Sequence, residues 1–313
     1  MIGQLDKAIN RLLYPIRPYW TASIYGYSKW IRRYGYYPPF LPLCIYTDHG
    51  PGDSSRSPYK HELESDAPVQ FYHSRGAIER WVTVSAKPCY QLFSPFVFAR
   101  RSLRIERSPT ACGSVFFPSH NTESITDLND SHLYADEISR LPERFHPVTI
   151  CLHITDMRLG IDKVYKAHGY RVVTAGDSLH QDFTERFYNI IKNFRYSLSN
   201  EFGAYGLYAT ELGIPFGLFG TKPQYFNAGD ENFKIGKYEC YKEKDYYINA
   251  LHLFDRLPGD NISEGQKKFA EEFLGMNGGV SRPRMAAILY KSLAFWLLER
   301  LHIIKIKYHA KVD

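Results

Sequence analysis

The amino-acid sequence predicts an α/β protein built as two Rossmann-like domains, and two observations carry that expectation. Between Val148 and Phe219, strand-like and helix-like stretches alternate as β-α-β-α-β-α-β with short connections, the pattern of a doubly wound parallel sheet. The chain also has 313 residues, more than the ~250–300 at which a single hydrophobic core stops growing. The expected division is 1–145 for the N-terminal, acceptor-side domain and 146–280 for the C-terminal, nucleotide-binding domain. Residues 281–313 form a helix and basic tail that pack back on the first.

In the first half, Leu5, Ile9, Leu12, Leu13 and Ile16 recur at helical spacing among Lys7, Arg11 and Arg17. This reads either as an interfacial membrane helix or as a short amphipathic helix packing on its own domain, and Pro15 and Pro18 confine it to the front of the stretch. Phe40–Thr47 is an apolar strand that ends in Asp48-His49-Gly50-Pro51-Gly52, and the polar run 53–66 has the composition of a mobile loop. A strand at Val69–His73 and a helix at Gly76–Ser85 follow. Then come apolar pieces over Gln91–Ala99, a strand Ser114–Phe117 leading into Pro118-Ser119-His120-Asn121, and a helix His132–Arg144.

The second half is more regular. Val148–Ile154 is almost free of polar residues, as a parallel strand buried on both faces should be. Strands at Tyr170–Ala175, Arg195–Leu198 and Pro215–Phe219 alternate with helices at Ile161–His168, Asp182–Phe194 and Glu201–Leu212. A Tyr-, Lys- and Asn-rich segment, 221–247, precedes two helices near Ser263–Leu274 and Pro283–Leu301, and the final stretch is alternating and basic.

Several function classes lose their support. Net charge is +6, but Lys and Arg are scattered and no nucleic-acid arm or motif is present, so nucleic acid is not an expected partner. The surplus suits nucleoside diphosphates or an anionic membrane surface. Five Cys without a CxxC pair read as small thiols in a reducing compartment. With no signal pattern and no run of ~18 apolar residues, the expected location is cytoplasmic, with peripheral contact to the inner membrane face as an option. P-loop, GxSxG, GxGxxG and HExxH motifs are all missing, so kinase, hydrolase and simple dehydrogenase chemistry and a metal site are not expected.

The segment Ser199-Asn200-Glu201-Phe202-Gly203-Ala204-Tyr205, followed by Tyr208 and Gly213-Ile214-Pro215, is a strand end, a polar turn and a helix beginning with small residues. Ser199 or Asn200 can cap the helix, and Gly203 and Ala204 leave its first turn open to an anion. This layout resembles the donor side of GT-B glycosyltransferases. With Phe116-Phe117-Pro118-Ser119-His120 and Thr174-Ala175-Gly176, it looks like the bacterial and archaeal transferases found with surface-polysaccharide genes, over residues 113–220. The resemblance implies two Rossmann-like domains facing a central cleft, and a nucleotide diphosphate held by Gly176, Ser199, Asn200, Gly203, Ala204, Tyr205 and Tyr208. It also implies no cofactor beyond the nucleotide-sugar co-substrate. The family's paired glutamates fall here on Asn200 and Tyr208, a departure that leaves room for CMP-activated acid sugars.

Asp48-His49-Gly50 closes the first strand and looks like the acidic-acidic-glycine motif of bacterial sialyltransferases, with His in the second place. Asp48 or His49 could take the acceptor's proton, and His120 could act as base or meet the donor phosphate. Asp156 and Asp177, at later strand ends, are candidates for ribose or base contacts, or simply helix caps. The expected function is sugar transfer from a CMP- or NDP-linked donor to a glycan or lipid-linked glycan. The alternatives are another polysaccharide-modifying transfer, such as pyruvyl transfer, and a non-catalytic sugar- or nucleotide-binding protein.

Overall fold

A computed structural model describes residues 19–48, 50–51, 58–238, 245–301 and 303. The expected amphipathic stretch 1–18, His49 and the basic segment 304–313 lie outside them.

The larger of two parallel sheets contains β4 (Ser114–Phe117), β6 (Val148–Cys151), β7 (Arg171–Val173), β8 (Tyr196–Ser199) and β9 (Phe216–Leu218), in the order β7-β6-β4-β8-β9. The chain starts at the centre, steps outward through β6 and β7, and returns to the other side of β4 as β8 and β9. Ser114 pairs with Val148 on one flank and Tyr196 on the other. Successive side chains of a strand point to opposite faces. Accordingly, Val115 and Phe117 enter one buried cluster and Phe116 another. Helices cover both faces: α5 (Ser131–Ser139) and α7 (Ile161–Ala167) on one, α8 (Phe183–Ile191) and α9 (Ala204–Glu211) on the other. That double cover is why β4, β6 and β8 carry almost no exposed residue.

The smaller parallel sheet has the order β1-β2-β3, with β1 Tyr46–Thr47, β2 Gln70–Tyr72 and β3 Cys89–Gln91. Around it lie α1 (Tyr27–Tyr34), α2 (Lys60–Glu64), α3 (Arg75–Val84) and α4 (Pro95–Ser102). A third sheet is antiparallel and was not expected: β5 (Ile125–Asp127) and β11 (Gly236–Tyr238) flank β10 (Tyr225–Asn227). The short helix α6 (Ile154–Arg158) follows β6, and α10 (Asp245–Phe254), α11 (Glu264–Phe273) and α12 (Arg282–Arg300) complete the chain.

The fold class is therefore α/β with two Rossmann-like units. The loop after β1 reaches the segment after β10, with Lys60 3.2 Å from Glu231 and the Tyr59 ring 6.3 Å from that of Phe233. These contacts tie the loop after β1 to the antiparallel sheet. The expected boundary at 145/146 falls inside the larger sheet, because β4 is its central strand. Helix α12 returns to the N-terminal unit: Met285 and Leu289 fill the space left by Gly35, and Ser292 Oγ donates to the carbonyl of Cys44.

Other differences have local causes. Only Tyr46–Thr47 of the expected strand 40–47 joins a ladder, and Pro42 within that stretch has no N–H to offer one. The expected helix 132–144 ends at Ser139, and a 3-10 turn, Glu143–Phe145, follows Pro142. The polar run 53–66 contains α2, whose first turn is held by Glu62 Oε2 accepting from Tyr59 N at 2.9 Å.

Candidate functional site

In a doubly wound sheet ligands bind beyond the carboxyl ends of the strands, at the point where the strand order reverses. Here that point is the crevice between β4 and β8. Two side chains bridge it: Asn200 Oδ1 accepts from Ser119 N at 2.7 Å, and Asn200 Nδ2 donates to Ser119 Oγ at 2.9 Å. Ser119 Oγ then donates to Asp127 Oδ2 at 2.5 Å. Asn121 donates twice to Asp156 Oδ1, from its backbone N at 3.1 Å and its Nδ2 at 2.7 Å, and its Oδ1 accepts from Asp127 N. The loop after β4 is thereby locked to β5 and α6.

A small cavity of about 70 Å³ opens at this network, lined among others by Asp127, Asn129, Asp156, Tyr165 and Asn200. It has room for the edge of a ligand, not for a whole nucleotide. Asp156 is 2% exposed, and its Oδ2 is buried without a partner. An unsatisfied charged oxygen costs more than the ~1–3 kcal/mol of a neutral orphan, so the cavity favours a group that donates hydrogen bonds. Burial pushes the Asp156 and Asp127 carboxyls up, against the hydrogen bonds of Asn121 and Ser119 that pull them down. Glu201, beneath the same crevice, accepts from Tyr225 Oη at 2.6 Å, and burial lifts its carboxyl to about 7.

The crest changes character toward β6 and β7. His120 and His153 are half-buried with ring centroids 4.6 Å apart. Burial lowers the basicity of His120, and burial followed by the neighbouring His120 lowers His153 to about 4. His153 is therefore a neutral imidazole at pH 7, and burial favours the neutral form of His120 as well. His153 caps α6, its Nδ1 accepting from Thr155 N at 3.3 Å, which leaves Nε2 to carry the proton. Neither nitrogen of His120 has a hydrogen-bond partner among the described residues. At the end of β7, Gly176 has φ +89°, and a Cβ there would lie 3.0 Å from the guanidinium of Arg186. Arg186 is exposed, and its Nη2 donates to His180 Nε2 at 3.1 Å.

The structure thus brings His120, Asp156, Asn200 and Gly176 to one crest. Asp177 stands at its outer edge, paired with Arg158 at 2.9 Å and capping the turn at Leu179. Four expectations need correction. Ser199 and Asn200 do not cap α9: Gly203 is its N-cap, while Ser199 Oγ donates to the carbonyl of Phe117 and accepts from Glu201 N. The room at Gly203 serves the ring of Tyr205, which a Cβ would meet at 2.6 Å, and Tyr205 Oη donates to the Glu201 carbonyl. Of that first turn, Ala204 remains half-buried and Tyr208 is buried, stacked on Phe96 with centroids 4.2 Å apart. Asp48, at the end of β1, spends both oxygens on the N and Nδ1 of buried His73, at 3.1 and 2.5 Å. It is an anchored carboxylate rather than a free base.

Among the described residues no three His, Cys, Asp or Glu side chains gather as a metal site, and no helix is long and apolar enough to cross a membrane. No family matches the chain, and no curated protein does. The solved structures similar to this chain include two enzymes of known ligand. A UDP-GlcNAc 2-epimerase from Neisseria meningitidis bound to UDP-GlcNAc has 10% identity and a TM-score of 0.37, over 79% of this chain and 68% of that one. The S. aureus MnaA–UDP co-structure has 10% identity and a TM-score of 0.36, over 82% and 68%. Nothing about this chain's chemistry follows from values that low.

Sequence reasoning missed Asp127, Glu201 as a buried acid, Tyr225, His73 and Arg186. Arg186 had no signal beyond a charge on an amphipathic helix. Asp127 and Tyr225 meet only through the β5–β10 pairing. His73 does carry a signal, as a His between a strand and the N-cap Ser74.

Proposed function

We propose that this chain binds a nucleotide-activated sugar along the carboxyl crest of the larger sheet and transfers the sugar to a glycan or lipid-linked glycan. One observation carries the reading: the division between hydrogen-bond acceptors and donors along that crest. The cavity between β4 and β8 offers carboxylates, one with a buried free oxygen, that suit the hydroxyls of a ribose or sugar. The β6–β7 side offers the His153 Nε2–H and the Arg186 guanidinium, which suit an anion. A ligand with a polyhydroxylated end and a phosphate linker satisfies both.

In the transfer step His120, neutral and without a partner, takes the proton of the acceptor hydroxyl. The acceptor oxygen bonds to the anomeric carbon as the bond from that carbon to the phosphate oxygen breaks. The phosphate leaves with the electron pair, its charge met by the His153 Nε2–H and Arg186.

The test is thermal unfolding with CMP, CDP, UDP, GDP and ADP in turn. One of them at a hundred times its dissociation constant should add about 2.7 kcal/mol. His120→Ala should keep that shift and lower transfer by roughly 10²–10⁴. If no nucleotide shifts the transition, the reading fails.

A further inference from the structure

Helix α12 buries Met285, Leu289 and Ser292 and turns an apolar stripe outward. Tyr290, Leu297 and Leu301 are 45%, 44% and 67% exposed, and with half-way Ala294 they lie at helical spacing along one face. The exposed rings of Tyr36 and Phe40 belong to the neighbouring loop, where Tyr37 lies 5.1 Å from Tyr290. Cations flank the stripe: Arg284 and Lys291 are exposed, Arg300 is exposed and paired with Asp66, and only Glu299 opposes them within the helix.

Tyr19 and Arg300, near the two ends of the described residues, meet at one carboxylate. Tyr19 Oη donates to Asp66 at 2.5 Å, and Arg300 lies 3.6 Å from the same carboxylate. Residues 1–18 contain Lys7, Arg11 and Arg17 against Asp6, and residues 304–313 contain Lys305, Lys307 and Lys311 against Asp313. The stripe and both segments therefore share one sign. A second copy docked there, or residues 1–18 folded over the stripe, would bring like charge against like. An anionic bilayer surface complements the cations beside the stripe and accepts its apolar side chains.

We infer that the outward face of α12 docks the protein on an anionic lipid surface, with Tyr290, Leu297 and Leu301 entering the interface. This does not depend on donor binding, and its test contains no nucleotide. The full chain is floated with phosphatidylcholine vesicles and with vesicles that also contain phosphatidylglycerol. It should bind the second kind only, and high salt should release it. The variants Leu297→Ser/Leu301→Ser and Arg284→Glu/Lys291→Glu should each lose roughly tenfold or more in vesicle binding with an unchanged melting temperature. The inference is overturned if the wild type does not float, or if the stripe variant floats like it. A lowered melting temperature in the stripe variant would show that the chain covers its own stripe. A wild-type dimer that the stripe variant dissolves would show a second copy as the occupant.

Discussion

Glu201 holds its place under the switch-point crevice with one neutral donor, Tyr225, and no cation pairs with it among the described residues. Its carboxyl titrates near 7 when folded, against an ordinary value of 4.5. The native state therefore keeps a proton between those limits that the unfolded chain has lost. This contribution to stability, about 3 kcal/mol, is complete below pH 4.5 and disappears as pH rises through 7. His153 acts in the opposite sense: folded at about 4 against 6.5, it costs stability at low pH and stops doing so above 6.5. The two trends overlap, so the wild-type pH profile alone cannot separate them. Glu201→Gln does, since Gln still accepts from Tyr225 and does not ionise. Its melting temperature should gain on the wild type by several degrees between pH 5 and pH 8. A gap that stays constant with pH would show that Glu201 is not held protonated.

At the scale of elements, the parallel strands were legible because burial on both faces leaves a continuous apolar signature, as in Val148–Cys151. The antiparallel sheet was not, because Ile125–Asp127 and Tyr225–Asn227 are three residues each, too short to show a period. Their partner is set by tertiary closure. The candidate site divides the same way: Ser119, His120, Asn200 and Asp156 could be read as strand-end residues, whereas Asp127 and Tyr225 acquire meaning only when β5 meets β10. The start of the central strand rests on one glycine. Gly113 has φ +59°, and a Cβ there would collide with the carbonyl oxygen of Pro147, which already accepts from Ser114 N. Gly113→Ala combines left-handed strain with a backbone clash and should cost about 2–4 kcal/mol, read as a lower denaturation midpoint. Unchanged stability would mean that β4 and β6 can part at their amino ends without loss.

At the scale of the whole molecule, the length of the chain pointed to two cores, and the packing gives a different division. One buried cluster runs from Ile45, Val69 and Phe71 beside the smaller sheet to Phe117, Leu207 and Phe216 beside the larger. The sequence could not show this, because α4 has apolar residues on more than one face and periodicity does not say which neighbour each face meets. Phe96 of α4 is the pivot: it stacks on Tyr208 and meets Phe187 and Tyr188 edge-on or tilted, and Tyr25 and Tyr27 approach from the other side. Nearby, Arg100 of the same helix holds Glu211 of α9 with two hydrogen bonds, at 2.7 and 2.6 Å. Units joined by such a core should unfold together, so calorimetry of the wild type should show one transition whose van't Hoff and calorimetric enthalpies agree. Phe96→Ala removes the ring that both halves share and should cost about 3–5 kcal/mol, broadening or splitting that transition as the smaller sheet loosens first. Two resolved transitions in the wild type would instead mean that the shared cluster does not couple the sheets, and that the cleft between them opens by hinge motion about α4.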